Sequence, residues 1–260
     1  MSNSKTKVKS RKNPVEELPQ QERNGEPDEV LDGEREELLP SSGSKLEADV
    51  GFVRVESPKF RSVSFLCTGD SPYVQLPFST KSKNAMKLTM EQGEKAKTRR
   101  KKEPRDFQDD YEHSVHLFDD GTPGIPAMSF KNAMVRAGTL CGIPMTRSRI
   151  LVHVKADGYD VNEGCPLIRF SGGTEKNREM AIDPVRNANG SADLRVRSKW
   201  REWSAVVRVE YDMTCIGVED IHSLLIRAGR QVGIGEGRPS SKKSCGMGWG
   251  TFTVELYEDR

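Results

Sequence analysis

The stretch GIGEGRPSSKKSCGMGWGTF combines glycines with cationic side chains in a way that could hold a phosphate group. Glycine backbone N–H groups can approach an anion closely, and nearby cations add charge. The candidate contacts are Gly233, Gly235, Arg238, Lys242, Lys243, Gly246 and Gly248. The stretch follows a predicted helix rather than a strand, which excludes a dinucleotide-binding loop, and no Walker A motif is present. The alternative is a long surface turn that uses glycine for its conformational freedom.

A second candidate is the basic stretch NREMAIDPVRNANGSADLRVRSKWREW, which ends in Trp200 and Trp203. Basic residues interleaved with aromatic ones suit single-stranded nucleic acid, where phosphates meet cations and bases stack on rings. Its candidate contacts are Arg195, Arg197, Lys199 and Arg201, with Arg195 and Arg197 on one strand face. The alternative is a charged hairpin whose tryptophans anchor the core, which we favour for one of them.

Other chemistry has weaker support in the sequence. His113 and His116 lie three residues apart in a predicted strand and so face opposite sides. The five cysteines are scattered without a CxxC pair, so a metal site could arise only by assembly from distant positions. No carboxylate is paired with a nucleophile motif. We therefore expect no cofactor, no metal and no enzymatic activity, and we expect the cysteines to be free thiols in a reducing compartment.

Alternating and helical patterns place these stretches on regular elements. We expect strands over residues 60–67, 112–118, 148–155, 165–171, 203–212 and 249–256. One helix is expected from Ser129, as N-cap, to Gly142. A second is expected from Val218 to Gly229, with apolar side chains on one face. Two strand–helix–strand units predict an α+β fold with a ferredoxin-like, RNA-recognition-like core, an antiparallel sheet and helices on one face.

Charge is segregated along the chain. Residues 1–55 lack apolar periodicity and are expected to be a disordered charged tail, with a basic tip and a strongly acidic remainder. From Gly51 onward there are 33 Lys and Arg against 27 Asp and Glu, so the domain expected over 56–260 is net basic. This suggests a polyanion partner, with a tail that either competes for the same surface or solubilises the protein. A basic insertion around 81–105 is expected to be mobile.

No apolar run is long enough for a membrane helix, and no secretory signal follows the basic start, so we expect a cytoplasmic protein without a membrane partner.

Two motifs together resemble the RAMP superfamily, the RNA-binding backbone subunits of CRISPR effector complexes. GIPAMSFKNAMVRAG is similar to that family's IPGSSLKGALR element, and the glycine stretch resembles its C-terminal glycine-rich loop. The chain further resembles a group of uncharacterised phage-encoded proteins through GSADLRVRSKWREWS and GIGEGRPS. It departs from these patterns at Ala127 and Met128, where the family has a small Gly-Ser pair, and at Gly237, where the phage group has tryptophan.

The resemblance implies an RNA-recognition fold with an inserted hairpin or thumb, backbone contacts to RNA, and head-to-tail assembly. It places Ser129 and Lys131 at the nucleic-acid backbone, with Arg136 on the same helix, and lets the glycines of the loop approach it. If the chain is phage-encoded, the compartment is the host cytoplasm. We therefore expect a non-catalytic protein that binds single-stranded RNA or DNA. The alternatives are a protein–protein interaction or scaffold module of phage origin, and a RAMP-type endoribonuclease.

Overall fold

The computed structural model describes residues 56–78, 80–92, 104–186, 191–241 and 247–258. All of them lie within one compact unit, Arg54–Arg260. The predicted tail over residues 1–55 lies outside the described residues, as do Lys242, Lys243 and Gly246 and residues 93–103 of the basic insertion.

The described residues form ten strands and five α-helices. The strands are β1 Phe60–Gly69, β2 Tyr73–Gln75, β3 Gly124–Pro126, β4 Val152–Val154, β5 Gly158–Tyr159, β6 Pro166–Ser171, β7 Glu179–Arg186, β8 Ala192–Trp200, β9 Ser204–Asp212 and β10 Phe252–Tyr257. The helices are α1 Thr80–Gln92, α2 Phe107–Glu112, α3 Ala127–Leu140, α4 Met145–Leu151 and α5 Val218–Arg227, which continues into a π-helical turn, Ala228–Val232. In the part of the chain that is described, no helix is long and apolar enough to cross a membrane.

The larger sheet has the strand order β10-β1-β9-β6-β3, with β4 also paired to β9 and β5 to β6. All of these pairs are antiparallel, and β1 is held along both edges by β9 and β10. The protein is therefore a mixed α+β structure with an antiparallel sheet, as the sequence predicted.

One face of this sheet forms the core. On β9, Ala205, Val207 and Val209 are buried, as their alternation predicted. Helix α3 contributes Phe130 and its apolar neighbours one helical turn apart, and α3 and α5 contact each other over the same core. The helices therefore pack together on the buried side.

The opposite face of the sheet carries charged side chains, and they are paired. Arg208 bonds to Asp157 at 2.6 Å, and Lys155 lies 2.8 Å from Glu210. Nearby, Arg169 lies 2.8 Å from Asp120. These cations are already neutralised by carboxylates of the protein.

Within the charged stretch 177–203, β7 and β8 pair as a hairpin, and β8 also pairs with β2 in a second, three-stranded sheet; residues 187–190 between the two strands lie outside the described residues. Trp200 and Trp203 are both buried, although the sequence favoured this for only one of them. The ring of Tyr73 stacks on Trp200 with the ring centroids 5.8 Å apart. The indole of Trp203 donates to the carbonyl oxygen of Ser71 at 2.9 Å. The tryptophans thus anchor the hairpin to the core.

Several boundary predictions were wrong. Residues 112–118 form no regular strand, because Ser114 is buried and bonds to the Ser198 hydroxyl at 2.6 Å, and only Leu117 makes an isolated bridge. Residues 145–151 are helical, and only Val152–Val154 extends as a strand. Helix α3 begins before Ser129, which is therefore not its N-cap, although Gly142 follows its end with a φ of 78°.

The second predicted helix also continues past its expected end. Gly229 does not close it, because the chain turns only at Gly233, where φ is 71°. Gly229 instead lies against Phe252, where a larger side chain would overlap the backbone.

Candidate functional site

A cleft of about 460 Å³ lies between α3, α4, β2 and the first half of the glycine-rich loop. We call it the arginine cleft after Arg136, Arg149 and Arg238, which line it. Its other polar lining residues are Tyr73, Gln75, His116, Ser129, Asn132 and Glu236. The two motifs that sequence analysis singled out, on α3 and in the glycine loop, form two of its walls.

Helix α3 presents Ser129, Asn132 and Arg136 to the cleft, because residues three or four apart share one side of a helix. The guanidinium of Arg136 donates to the carbonyl oxygen of Ser240 at 3.1 Å and to its hydroxyl at 3.3 Å. These bonds tie the helix to the loop and hold the arginine at the cleft. Lys131 is half-buried on the same helix and is not among the cleft-lining residues.

The other two arginines come from different segments. Arg238 is half-buried and donates to the carbonyl oxygen of Gly235 at 2.6 Å. Burial lowers the pKa of Arg238, and the nearby charge of Arg136 lowers it further, against the opposing effect of Glu236. Arg149, on α4, has its guanidinium 3.2 Å from the thioether sulfur of Met145. The charged form of Arg238 is therefore disfavoured by burial and by repulsion from Arg136. A bound anion would offset this unfavourable electrostatic energy.

The positive charge of the cleft is balanced by few carboxylates. Glu236 is the one acidic residue in its lining, and its carboxylate also lies 3.9 Å from the buried guanidinium of Arg197. Across the described ranges, Arg136, Arg149 and Arg238 form no ion pair with an aspartate or glutamate. This distinguishes them from the paired cations on the opposite face of the sheet.

The amide of Gln75 adds an unsatisfied donor. Gln75 is 4% exposed and lines the cleft, and its Nε2 has no hydrogen-bond partner among the described residues. A buried polar group without a partner costs about 1–3 kcal/mol. A ligand oxygen within reach would satisfy it.

The glycines of the loop allow it to pack closely against other parts of the protein. Gly235 has a φ of 73°, and a Cβ there would overlap the carbonyl oxygen of Val74 on β2. The N–H groups of Ile234 and Glu236 already bond to Gly250 and Val74. Gly233 and Gly235 line the cleft, whereas Gly248 does not. The cleft therefore offers arginine side chains more than a cradle of free backbone N–H groups.

The predicted contacts of the hairpin lie elsewhere. Arg197 is 1% exposed and bonds to Asp183 at 3.0 Å, so its predicted role as an exposed phosphate contact was wrong. Arg195 lines a separate groove that also contains Asp109, Asp110 and Asp193. The ammonium of Lys199 lies 5.3 Å from the ring centroid of Trp249. Arg201 is exposed and bonds to Glu179 at 2.7 Å.

His116 lines the cleft, and its ring lies close to the side chains of Asp160 and Cys165. Its Nδ1 lies 3.7 Å from Oδ2 of Asp160 and 3.6 Å from Sγ of Cys165. Burial lowers the pKa of His116, and Asp160 opposes this by raising it. Burial, with Asp160 and Glu163, raises the pKa of the Cys165 thiol to about 11.

Sequence reasoning missed Gln75, Asn132 and Arg149 as members of this site, and it considered His116 only as one of three histidines that could be a general base. Pro144 was a usable signal for Arg149, because proline is common where a helix starts and would have favoured a helix over a strand for residues 145–151. Nothing in the local sequence could have indicated Gln75 or Asn132.

The chain matches no model of a known protein family, and no characterised protein in a curated collection matches it either.

Proposed function

We propose that this protein binds single-stranded RNA or DNA without cleaving it, and that phosphate groups of the strand lie in the arginine cleft. The observation that carries the proposal is the set Arg136, Arg149 and Arg238, which meet in one concave site without carboxylate partners among the described residues. Phosphate groups are the common ligands of such guanidinium clusters, because they accept charge-assisted hydrogen bonds. The unpartnered Gln75 amide supports an oxygen-bearing ligand at the same place.

The topology is consistent with this proposal. The order β1-α3-β4-β9-α5-β10 along the chain, and β10-β1-β9-β4 across the sheet, support a ferredoxin-like core. In that reading the β7–β8 hairpin is the inserted thumb, since it lies between β6 and β9. The resemblance to the RAMP superfamily gains support because its two motifs line one cleft. It also suggests head-to-tail assembly on the strand.

Two other surfaces fit a polyanion less well. RNA-recognition folds bind nucleotides on the open face of the sheet. Here the cations of that face, such as Arg208 and Arg169, are paired with aspartates. The groove beside Arg195 contains Arg105, but Arg105 is paired with Asp110 and Asp193. The arginine cleft is thus the better site for phosphate.

The test replaces the three cleft arginines by glutamine and measures binding of a labelled single-stranded oligonucleotide by fluorescence anisotropy. For single strands, log K falls with log salt by about 0.7 for each phosphate neutralised, so losing three contacts should reduce the slope by about 2. Arg201→Gln is the matched control, because that exposed guanidinium is already paired with Glu179. RNA, DNA and duplex probes run in parallel identify the polymer.

A folded triple variant that keeps the wild-type affinity and salt slope would refute the cleft as the site. Absence of any binding at low salt would refute the function itself. In that case, capture of a host protein that survives nuclease treatment would favour the interaction module.

Cleavage is the second candidate, and the observation that favours it is the position of His116. His116 lines the arginine cleft, whereas His113 and His222 do not. His222 instead stacks on Phe65 with the ring planes 8° apart. Labelled RNA that stays intact after prolonged incubation would exclude this activity.

A further inference from the structure

Three residues of different ligand types converge at the edge of the arginine cleft. Their ligand atoms are Nδ1 of His116, a carboxylate oxygen of Asp160 and Sγ of Cys165, all within 4.8 Å of one another. His116 and Cys165 are 49 positions apart, so the cluster exists only in the folded chain. This is the assembly from distant positions that sequence spacing alone could not specify.

The distances fit a tetrahedral metal ion. With metal–ligand bonds of about 2.0–2.3 Å, two ligand atoms of a tetrahedral zinc site lie about 3.3–3.7 Å apart. The histidine nitrogen lies 3.6 Å from the cysteine sulfur and 3.7 Å from the aspartate oxygen. An ion can therefore be accommodated by side-chain rotations that close the third pair, the carboxylate oxygen and the sulfur, which lie within 4.8 Å of each other.

The backbone holds two of the three residues in position. Asp160 and Cys165 follow the last pairs of the β5–β6 ladder, and the N–H of Asp160 donates to the carbonyl oxygen of Cys165 at 2.9 Å. Both residues therefore lie at the loop end of one short hairpin.

The aspartate is oriented by further hydrogen bonds. Its Oδ1 accepts from the N–H of Leu117 at 2.9 Å, and its Oδ2 accepts from the N–H of Glu163 at 2.7 Å. Each oxygen keeps a lone pair for a cation, and backbone support of this kind is the usual surrounding of a metal-binding carboxylate. The bond to Leu117 also fixes the segment that carries His116.

We propose that His116, Asp160 and Cys165 bind a divalent transition-metal ion of the zinc class. A thiolate, an imidazole and one carboxylate together suit zinc-like ions, whereas magnesium and calcium prefer oxygen ligands alone. Three protein ligands leave the fourth position to water. The ion would join the β5–β6 hairpin to the wall of the arginine cleft through His116, and the site does not depend on the proposed nucleic-acid binding.

The test uses Co²⁺ as a spectroscopic probe on the full chain after removal of metals with a chelator. One equivalent should produce the near-ultraviolet charge-transfer band of a cobalt–thiolate bond together with the visible bands of tetrahedral cobalt. One equivalent of Zn²⁺ should remove both. Cys165→Ser should abolish the thiolate band, and His116→Gln should weaken Co²⁺ binding about tenfold or more.

Cys215→Ser is the matched control. That cysteine is exposed and its sulfur lies 3.7 Å from a carboxylate oxygen of Asp212, but it belongs to no such cluster among the described residues. The control should keep the full spectrum. The proposal is overturned if the wild type gives no thiolate band, or if the band survives Cys165→Ser while circular dichroism shows that variant folded.

Discussion

Alanine substitutions at Gly235 and Gly248 distinguish two reasons for glycine in the loop: close packing against β2, and a backbone conformation with positive φ. Both Gly235 and Gly248 have a positive φ, 73° and 68° respectively. Alanine in the left-handed region costs about 1 kcal/mol at either position. At Gly235 the added Cβ would also overlap the Val74 carbonyl oxygen and lie 2.9 Å from the Tyr73 ring. At Gly248 no described atom lies within 4 Å of it.

The overlap at Gly235 adds the cost of overpacking, about 1–3 kcal/mol. We therefore expect Gly235→Ala to lower the free energy of unfolding by about 2–4 kcal/mol, and Gly248→Ala by about 1 kcal/mol. For a domain of this size the two melting temperatures should differ by roughly 2–12 °C. Urea unfolding followed by tryptophan fluorescence measures both free energies.

Equal destabilisation by the two substitutions would refute the close contact between the loop and β2. So would a larger loss at Gly248. Gly248→Ala could also leave stability almost unchanged but weaken nucleic-acid binding. In that case the second half of the loop, and not the arginine cleft, would contact the nucleic acid.

Two further predictions concern buried side chains. Arg197→Met should destabilise the protein by about 1–3 kcal/mol in urea unfolding, because it leaves the partly buried Asp183 carboxylate without the guanidinium that bonds to it. Arg201→Met removes only an exposed ion pair and should change little, and similar losses in both would contradict the placement of Arg197. Burial raises the pKa of the Cys67 thiol, so alkylation of the native protein followed by mass spectrometry should modify Cys215 and leave Cys67 unmodified until the chain unfolds. Modification of Cys67 at the rate of Cys215 in the native state would show that its strand is not buried.

Regular patterns in the sequence were sufficient for the longer strands and helices of the core. The alternation of Ala205, Val207 and Val209 predicted β9 and its buried face, because a half-buried strand places every second residue in the core. The apolar spacing of α3 and α5 predicted both helices, because residues three or four apart lie on one side of a helix. These elements are determined by local periodicity.

Tertiary contacts decided the positions where prediction failed. The alternation EHSVHLF suggested a strand, but Ser114 and His116 turn toward Ser198 and Cys165, which lie far along the chain. Arg197 followed the expected strand face, yet its burial depends on the strand β2 and the loop residue Glu236. The sequence therefore identified α3 and the glycine loop, but not that they line the same cleft. It could not identify the cluster of His116, Asp160 and Cys165, whose members are distant in the chain.

The position of β1 has a consequence for synthesis on the ribosome. Among the described strands, β1 is made first, and its partners there are β9 and β10, so that Ser64 faces Arg208 on one side and Tyr257 on the other. At about 5–20 residues per second, β1 must wait on the order of ten seconds before β9 emerges, and longer for β10. Throughout that interval both of its edges are unpaired, which is the condition under which strands aggregate. Nascent chains stalled before β9 should therefore bind chaperones at β1, and release should follow completion of β10.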